Sequence, residues 1–210
     1  MKNKLSVWVV NVLFWMCILF VVWVVLQVVG YSSFRIPSDS MAPALVTGDR
    51  IWVAKPVLGA RIFNPFAALN DSHVKIRRLP GWRQVEHNDI LVFNFPYRSS
   101  WDTVCMDWST YYVKRCIGLP GDTLAIREGF YFINGEKGKV GNRAAQQELS
   151  LKKREDFEPE VYNTFPYRPA YPWNIHTFGP LVIPGEGIRI PLTPHTLCLY
   201  KRWIEWETGK

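Results

Sequence analysis

The sequence predicts a mainly β protein with an N-terminal transmembrane helix, an antiparallel β-barrel-like domain and an inserted polar subdomain. Three observations support this fold class. An uncharged apolar run lies near the N-terminus, short segments rich in β-branched and aromatic residues follow it, and residues 135–173 are polar and then proline-rich. Strands that are this short and this closely spaced are typical of antiparallel barrels.

The N-terminal run is long enough to cross a bilayer. The chain has 210 residues, and none between Lys4 and Arg35 is charged. As a helix, Val7–Val29 would span about 34 Å, and the hydrocarbon core of a bilayer is about 30 Å thick. A cleavable signal has a shorter apolar region with a small-x-small exit, and a buried core helix seldom lacks charge for so long. We therefore expect a retained membrane anchor.

The charges that flank the apolar run predict the orientation of the anchor in the membrane. Lys2 and Lys4 precede the run, which weakly favours a cytoplasmic N-terminus. We expect a single-pass protein of the cell membrane, with residues from Tyr31 onward on the extracytoplasmic side.

The net charge of +7 is consistent with attraction to anionic lipid head groups. A nucleic-acid partner is not expected, because acidic residues follow the densest basic cluster, Lys152–Arg154, at once. No sequence feature predicts an oligomeric state.

The strands of the β domain are predicted from runs of apolar residues that end at turn residues. Gly48 leads into the first run, and Pro96 and Gly118 end the next two. The predicted strands are 49–55, 89–95, 111–117, and a hairpin formed by 123–127 and 130–133.

The remainder of the chain reads as a second, more polar region. We expect one helix near residues 144–157 and a helical pattern over 196–207. The sequence therefore divides into a transmembrane helix at 1–30, a β domain at 31–134, and an insertion with the C-terminal segment at 135–210.

The cysteines and histidines do not predict a metal site or a cofactor. The chain contains no CxxC, no HExxH and no zinc-like Cys–His spacing. Cys105 and Cys116 would be able to pair in an oxidising compartment, because their separation suits neighbouring strands. Two buried unpaired thiols are the alternative, and the sequence leaves both open.

A serine between two prolines follows the anchor by a few residues, in Ile36-Pro-Ser-Asp-Ser-Met-Ala-Pro43. A serine hydroxyl is a weak nucleophile until a base removes its proton. Pro37 and Pro43 stiffen the backbone on either side of Ser40. Taken alone, this pattern is usually only a turn.

A lysine lies within an apolar strand, in Tyr112-Val-Lys-Arg-Cys-Ile-Gly-Leu-Pro-Gly-Asp122. Strand alternation places Lys114 on the same face as Tyr112, and Arg115 on the opposite face with Val113. One of the two adjacent basic side chains is therefore expected to point inward. Burial disfavours an ammonium ion, so a buried lysine can lose its proton and act as a general base. A salt-bridged surface lysine is the ordinary alternative.

Together the two motifs, with Gly48-Asp49 and Asp89-Ile-Leu-Val-Phe93 between them in order, resemble the bacterial type I signal peptidases. The resemblance is specific from the anchor to about Gly135. It implies an endopeptidase with Ser40 as the nucleophile and Lys114 as the general base. The oxyanion hole would use the backbone N–H of Ser40 and the hydroxyl of Ser38.

The same resemblance implies the partners and the substrate-binding residues. The substrates would be preproteins whose signal peptides lie in the lipid bilayer and are cut after a small-x-small sequence. The residues expected to contact or shape the substrate site are Ile36, Pro37, Met41, Tyr112 and Val113.

The chain departs from the family pattern in three places. Ala44 stands where many members have Thr, and Asp39 stands where a small residue is frequent. The family motif Gly-Asp-Asn-Arg is not found before Lys210. The β domain is therefore expected to be incomplete or completed by another chain, and weak activity or none is the expectation. The alternative function is a membrane-anchored binding domain with little turnover.

Overall fold

The first element is the apolar helix. In this computed structural model, which describes residues 2–63, 76–97, 104 and 107–208, helix α1 covers Lys2–Val25 and continues as a π-helical turn over Leu26–Gly30. By length and composition, Ser6–Gly30 is able to cross a membrane. The prediction of an N-terminal apolar helix is confirmed.

A short β hairpin follows the helix directly. Strand β1 covers Tyr31–Arg35 and pairs antiparallel with β2, Arg50–Ala54. The predicted strand at 49–55 ends one residue early, because Lys55–Leu58 forms the short helix α2 with a proline in its first turn. Proline has no N–H to donate to a sheet, and its fixed φ suits the first turn of a helix.

The remaining strands of this part of the chain are short. Strand β3, Arg61–Ile62, pairs antiparallel with β4, Arg77–Arg78. The chain forms two compact units, Met1–Gln84 and Val85–Lys210, and these elements belong to the first.

The second unit begins with a longer ladder. Strand β5, Ile90–Phe95, pairs antiparallel with β6, Asp107–Arg115, and Leu91 lies opposite Lys114. The predicted strand at 111–117 therefore begins earlier and ends two residues sooner. The chain leaves the sheet at the Gly118-Leu-Pro-Gly turn, as its residues predict.

A four-stranded antiparallel sheet follows. Its strands are β7, Thr123–Arg127; β8, Phe130–Ile133; β9, Glu136–Lys137; and β10, Phe178–Val182, in the order β10-β7-β8-β9. The predicted hairpin of 123–127 and 130–133 is confirmed at both ends. Across the described ranges the sheets are antiparallel and mostly small, and they form no closed barrel.

Helices complete the second unit. Helix α3 covers Arg143–Leu151, and Asn142 caps it by accepting the N–H groups of Ala144 and Ala145. It ends before the predicted limit, and a 3₁₀ turn at Arg154–Asp156 and helix α4 at Pro159–Tyr162 follow. Helix α5 covers Pro194–Thr208, close to the predicted 196–207.

An aromatic cluster packs helix α5 into the second unit. Its buried members are Trp173, Leu199 and Tyr200. The half-buried apolar residues packed against them are Phe165, Tyr171, Phe178, Leu181, Ile190, Cys198 and Ile204.

Three strands are entered through one kind of turn. In each turn a residue with positive φ precedes an Asp whose carboxylate accepts the backbone N–H of the residue three positions earlier, at 2.8 to 2.9 Å. The N–H of the Asp donates in return to the carbonyl of that earlier residue. The pairs are Gly48-Asp49 before β2, Asn88-Asp89 before β5 and Gly121-Asp122 before β7, with φ of 98°, 71° and 98° at their first residues.

Candidate active site

The serine motif lies in the loop that joins β1 to β2. The hairpin ladder continues past β1, since the N–H of Ile36 donates to the carbonyl of Asp49 and the N–H of Gly48 donates to the carbonyl of Ile36, each at 2.9 Å. Ile36 is therefore buried, with an exposed fraction of 4%. Ser40 and Ser38 are exposed in the loop that follows. The ladder holds both ends of the loop, and these hydrogen bonds restrict the position of Ser40, the candidate nucleophile.

Asp39, which departs from the family pattern, has a structural role in this loop. Its Oδ1 accepts the backbone N–H of Thr47 at 2.7 Å. This hydrogen bond lowers the pKa of the Asp39 carboxyl below its ordinary value. The carbonyl of Asp39 also accepts the N–H of Ala42 at 2.9 Å. The carboxylate therefore closes the loop around Ser40, a contact that joins residues eight apart and that no local pattern indicates.

The other motif residues of the loop differ in exposure. Pro37 is exposed, and Met41 is half-buried with its carbonyl accepting the N–H groups of Ala44 and Leu45 at 3.0 and 3.1 Å. Met41 thus begins a tight turn directly after Ser40. Among the residues expected to contact substrate, Ile36 differs by being buried within the ladder.

The lysine motif lies near the end of β6, in the second unit. Lys114 and Arg115 are both half-buried. The Nζ of Lys114 lies 5.9 Å from the centroid of the Tyr112 ring. Tyr112 in turn stacks on Phe95 at 4.7 Å and on Phe93 at 6.4 Å between centroids. An aromatic surface therefore borders Lys114.

The thiol of Cys116 lies just after this strand. Its Sγ is 3.4 Å from the carbonyl oxygen of Gly118. Burial, with the charges of Asp89 and Asp122, raises the pKa of the Cys116 thiol. Cys116 carries a free thiol in this structure, and Cys105 lies outside the described residues.

The last motif residue, Asp122, is buried and accepts several hydrogen bonds. Its Oδ2 accepts the N–H of Leu119 at 2.8 Å and lies 2.7 Å from Nε2 of His87. Its Oδ1 accepts from Nδ2 of Asn134 at 3.0 Å. Burial acts to raise the pKa of Asp122, but these hydrogen bonds outweigh it, and the pKa lies below its ordinary value. Sequence reasoning placed Asp122 in the motif without finding this network.

The structure places the two halves of the proposed pair on different units. Ser38, Ser40 and Met41 belong to Met1–Gln84, whereas Tyr112 and Lys114 belong to Val85–Lys210.

A shallow cavity of about 280 Å³ in the second unit is lined by Arg168, Pro169, Ala170, Pro194, His195 and Cys198, none of which belongs to either motif. Within the described ranges, no group of three or more His, Cys, Asp or Glu residues is arranged to hold a metal ion.

The segment that carries both motifs is similar to a known protein family. A family model described as signal peptidase, peptidase S26, matches residues 7–170, which include most of the apolar helix, Ser40 and Lys114. The chain belongs to the signal peptidase S26 family. Together with the apolar helix, this family indicates a membrane-anchored protein.

Curated relatives are similar over parts of their length. Signal peptidase I of Rickettsia massiliae (strain Mtu5) is 26% identical over 165 residues, which are 74% of this chain and 56% of the relative. That of Pseudomonas aeruginosa is 32% identical over 120 residues, 57% of this chain and 35% of the relative. That of Pseudomonas fluorescens is 30% identical over 151 residues, 69% of this chain and 46% of the relative. The chain thus spans between about a third and just over half of these relatives.

Proposed function

We propose that the chain acts as a signal peptidase I, a serine endopeptidase that removes N-terminal signal peptides from exported preproteins at the membrane surface. The observation that carries the proposal is the family match over residues 7–170, because it includes the anchor and both motifs in one segment. Relatives named signal peptidase I support the same activity.

The proposed mechanism uses Ser40 and Lys114. The amine of Lys114, in its neutral form, takes the proton of the Ser40 hydroxyl as the oxygen attacks the scissile carbonyl. The N–H of Ser40 and the hydroxyl of Ser38 donate to the resulting oxyanion. Lys114 then returns the proton to the leaving amine, and an acyl-enzyme on Ser40 is hydrolysed by water. Exposure of Ser38 and Ser40 on a loop closed by Asp39 supports these roles.

The proposed substrate site and location follow from the same elements. Ile36, Pro37, Met41, Tyr112 and Val113 would shape pockets for small side chains beside the scissile bond. A single pass of α1 would place the residues from Tyr31 onward on the extracytoplasmic face, where a signal peptide leaves the bilayer. The proposal also includes a barrel-like β domain, which the antiparallel strands support, and an inserted subdomain, which helices α3 and α4 support.

The test is cleavage of a purified preprotein with an Ala-x-Ala site by the full chain in proteoliposomes. Ser40→Ala and Lys114→Met are expected to lower kcat/KM by about 10³-fold or more. Lys114→Arg is expected to be equally inactive, because a guanidinium keeps the charge but does not give up its proton.

Matched control variants separate chemistry from folding. Ser33→Ala changes an exposed serine of β1, and Lys139→Met changes an exposed lysine of the second unit. Both are expected to retain the wild-type rate. Absence of cleavage by the wild-type chain, or cleavage that survives Ser40→Ala, would contradict the proposed function.

A further inference from the structure

Asn88 occupies a position where the two related turns have glycine. Its φ of 71° lies in the left-handed region, as do those of Gly48 and Gly121 at 98°. Asparagine tolerates this conformation better than other residues with a Cβ. Unlike glycine, it also brings an amide side chain to the turn, and that side chain makes contacts in this structure.

All four polar groups of Asn88 have partners. Its backbone N–H donates to the carbonyl of Cys116 at 2.7 Å, and its carbonyl accepts from Nη1 of Arg115 at 3.1 Å. Its Nδ2 donates to the carbonyl of Lys139 at 2.9 Å, and its Oδ1 accepts the N–H of Gly141 at 2.7 Å. One residue thus joins the end of β6 to the loop that leads into α3.

Two partners of Asn88, Arg115 and Cys116, directly follow Lys114 in the chain. The N–H of Cys116 donates to the carbonyl of Asp89 at 2.8 Å, so the contacts of Asn88 and Asp89 extend the β5–β6 ladder past its last register pair, Ile90 with Arg115. A strand that slips by one residue turns every side chain to the opposite face. The contacts with Cys116 therefore add to the register at the end of β6, which sets the face that carries Lys114.

We propose that Asn88 is a positioning residue for Lys114: its amide secures the turn to the 139–141 loop, and its backbone secures the register of β6. The proposal rests on the proposed function for its catalytic consequence. Its structural consequence, a fixed end of β6, does not depend on turnover.

The test compares Asn88→Gly with Asn134→Gly in the full chain in detergent. Glycine adopts the left-handed conformation at both positions, so both variants are expected to fold. Asn134 is a matched control because it also has a positive φ, of 53°, and its side chain makes two hydrogen bonds, to Thr123 and Asp122. Asn88→Asp, which keeps the acceptor for Gly141 but loses the donor to Lys139, is expected to be intermediate.

Amide hydrogen exchange of residues 113–117 is the first readout. We expect exchange to accelerate by roughly tenfold in Asn88→Gly and to stay unchanged in Asn134→Gly. The second readout is steady-state cleavage, in which Asn88→Gly is expected to lower kcat by roughly tenfold while KM changes less than about twofold, because a misplaced base slows chemistry more than binding.

Two results would overturn the proposal. One is unchanged exchange at 113–117 in Asn88→Gly. The other is an equal loss of kcat in both variants. If the wild-type chain does not cleave preprotein, the proposed function fails, and the exchange measurement still decides whether Asn88 fixes the end of β6.

Discussion

Nε2 of His87 lies 2.7 Å from Oδ2 of Asp122, a contact between residues 35 apart in the chain. It joins the turn before β5 to the turn before β7. Both turns lie in the second unit, next to the segment that carries Lys114 and Cys116. The motif Gly-Leu-Pro-Gly-Asp therefore ends on a carboxylate that holds neighbouring turns together.

This carboxylate predicts a pH-dependent stability. The pKa of Asp122 lies below its ordinary value of about 3.9, so its ionised form stabilises the fold above about pH 4, and this contribution is lost as the pH falls through the lower native value. Asp122→Asn is expected to cost about 1–3 kcal/mol at neutral pH and progressively less below pH 4. Urea unfolding in detergent between pH 3 and 7 measures the difference.

Glu148→Gln is the control for Asp122, because Glu148 pairs with Lys152 at 2.7 Å on the exposed surface, where a pair contributes little. A constant difference between wild type and Asp122→Asn across the whole pH range would show that the charge of Asp122 does not contribute.

The left-handed turn at Gly48 predicts a graded response to substitution. Apart from Gly48 and its two chain neighbours, no described residue has an atom within 4 Å of the position of a Cβ at Gly48, so the cost of a side chain there comes from the backbone conformation. Gly48→Ala is expected to destabilise by about 1–2 kcal/mol, and Gly48→Asn by less, because asparagine visits this conformation more readily. Thermal unfolding of both variants measures the order. Equal destabilisation would contradict the equivalence of this turn with the one at Asn88.

The C-terminal end of the apolar helix is capped by Lys55, the first residue of α2. Nζ of Lys55 donates to the carbonyls of Gln27 and, at 3.3 Å, of Val28. Carbonyls at a helix end lack intrahelical partners, and a cation there is favourable. Lys55→Met is expected to cost about 0.3–1 kcal/mol and to accelerate amide exchange over residues 29–31. Lys139→Met is the control, and equal exchange in both variants would argue against the cap.

Tyr200 attaches helix α5 to the four-stranded sheet. Its hydroxyl donates to the carbonyl of Val182, in β10, at 2.7 Å, and burial raises the pKa of the phenol. Tyr200→Phe is expected to cost about 1–2 kcal/mol, because the carbonyl loses its partner in a buried site. Tyr167→Phe, at a residue that is 70% exposed, is the matched control and is expected to leave stability unchanged. Chemical unfolding of both variants checks this, and a neutral Tyr200→Phe would refute it.

Elements whose signal lies within a few neighbouring residues were predicted well. The apolar run became helix α1, and the hairpin around Glu128-Gly129 has its predicted bounds, because composition and turn residues act locally. The strand at 49–55 was predicted one residue too long at each end. At its C-terminal end, Lys55 is already the first residue of helix α2, which has Pro56 in its first turn. The barrel-like arrangement stays a prediction, since the described sheets are separate.

The sequence by itself determined the apolar helix, strands β2, β5, β6, β7 and β8 to within a few residues, and the two motifs that place the chain with the signal peptidases, because each is written in contiguous residues. Only the tertiary structure decided that Asp39 closes the loop of Ser40, that Lys55 caps the anchor, and that Asn88 holds Cys116. The Asp39–Thr47 contact joins residues 8 positions apart, the Lys55–Val28 contact joins residues 27 apart, and the Asn88–Cys116 contact joins residues 28 apart. Folding brings such groups within hydrogen-bonding distance, and no local pattern records which distant carbonyl or N–H a side chain will meet.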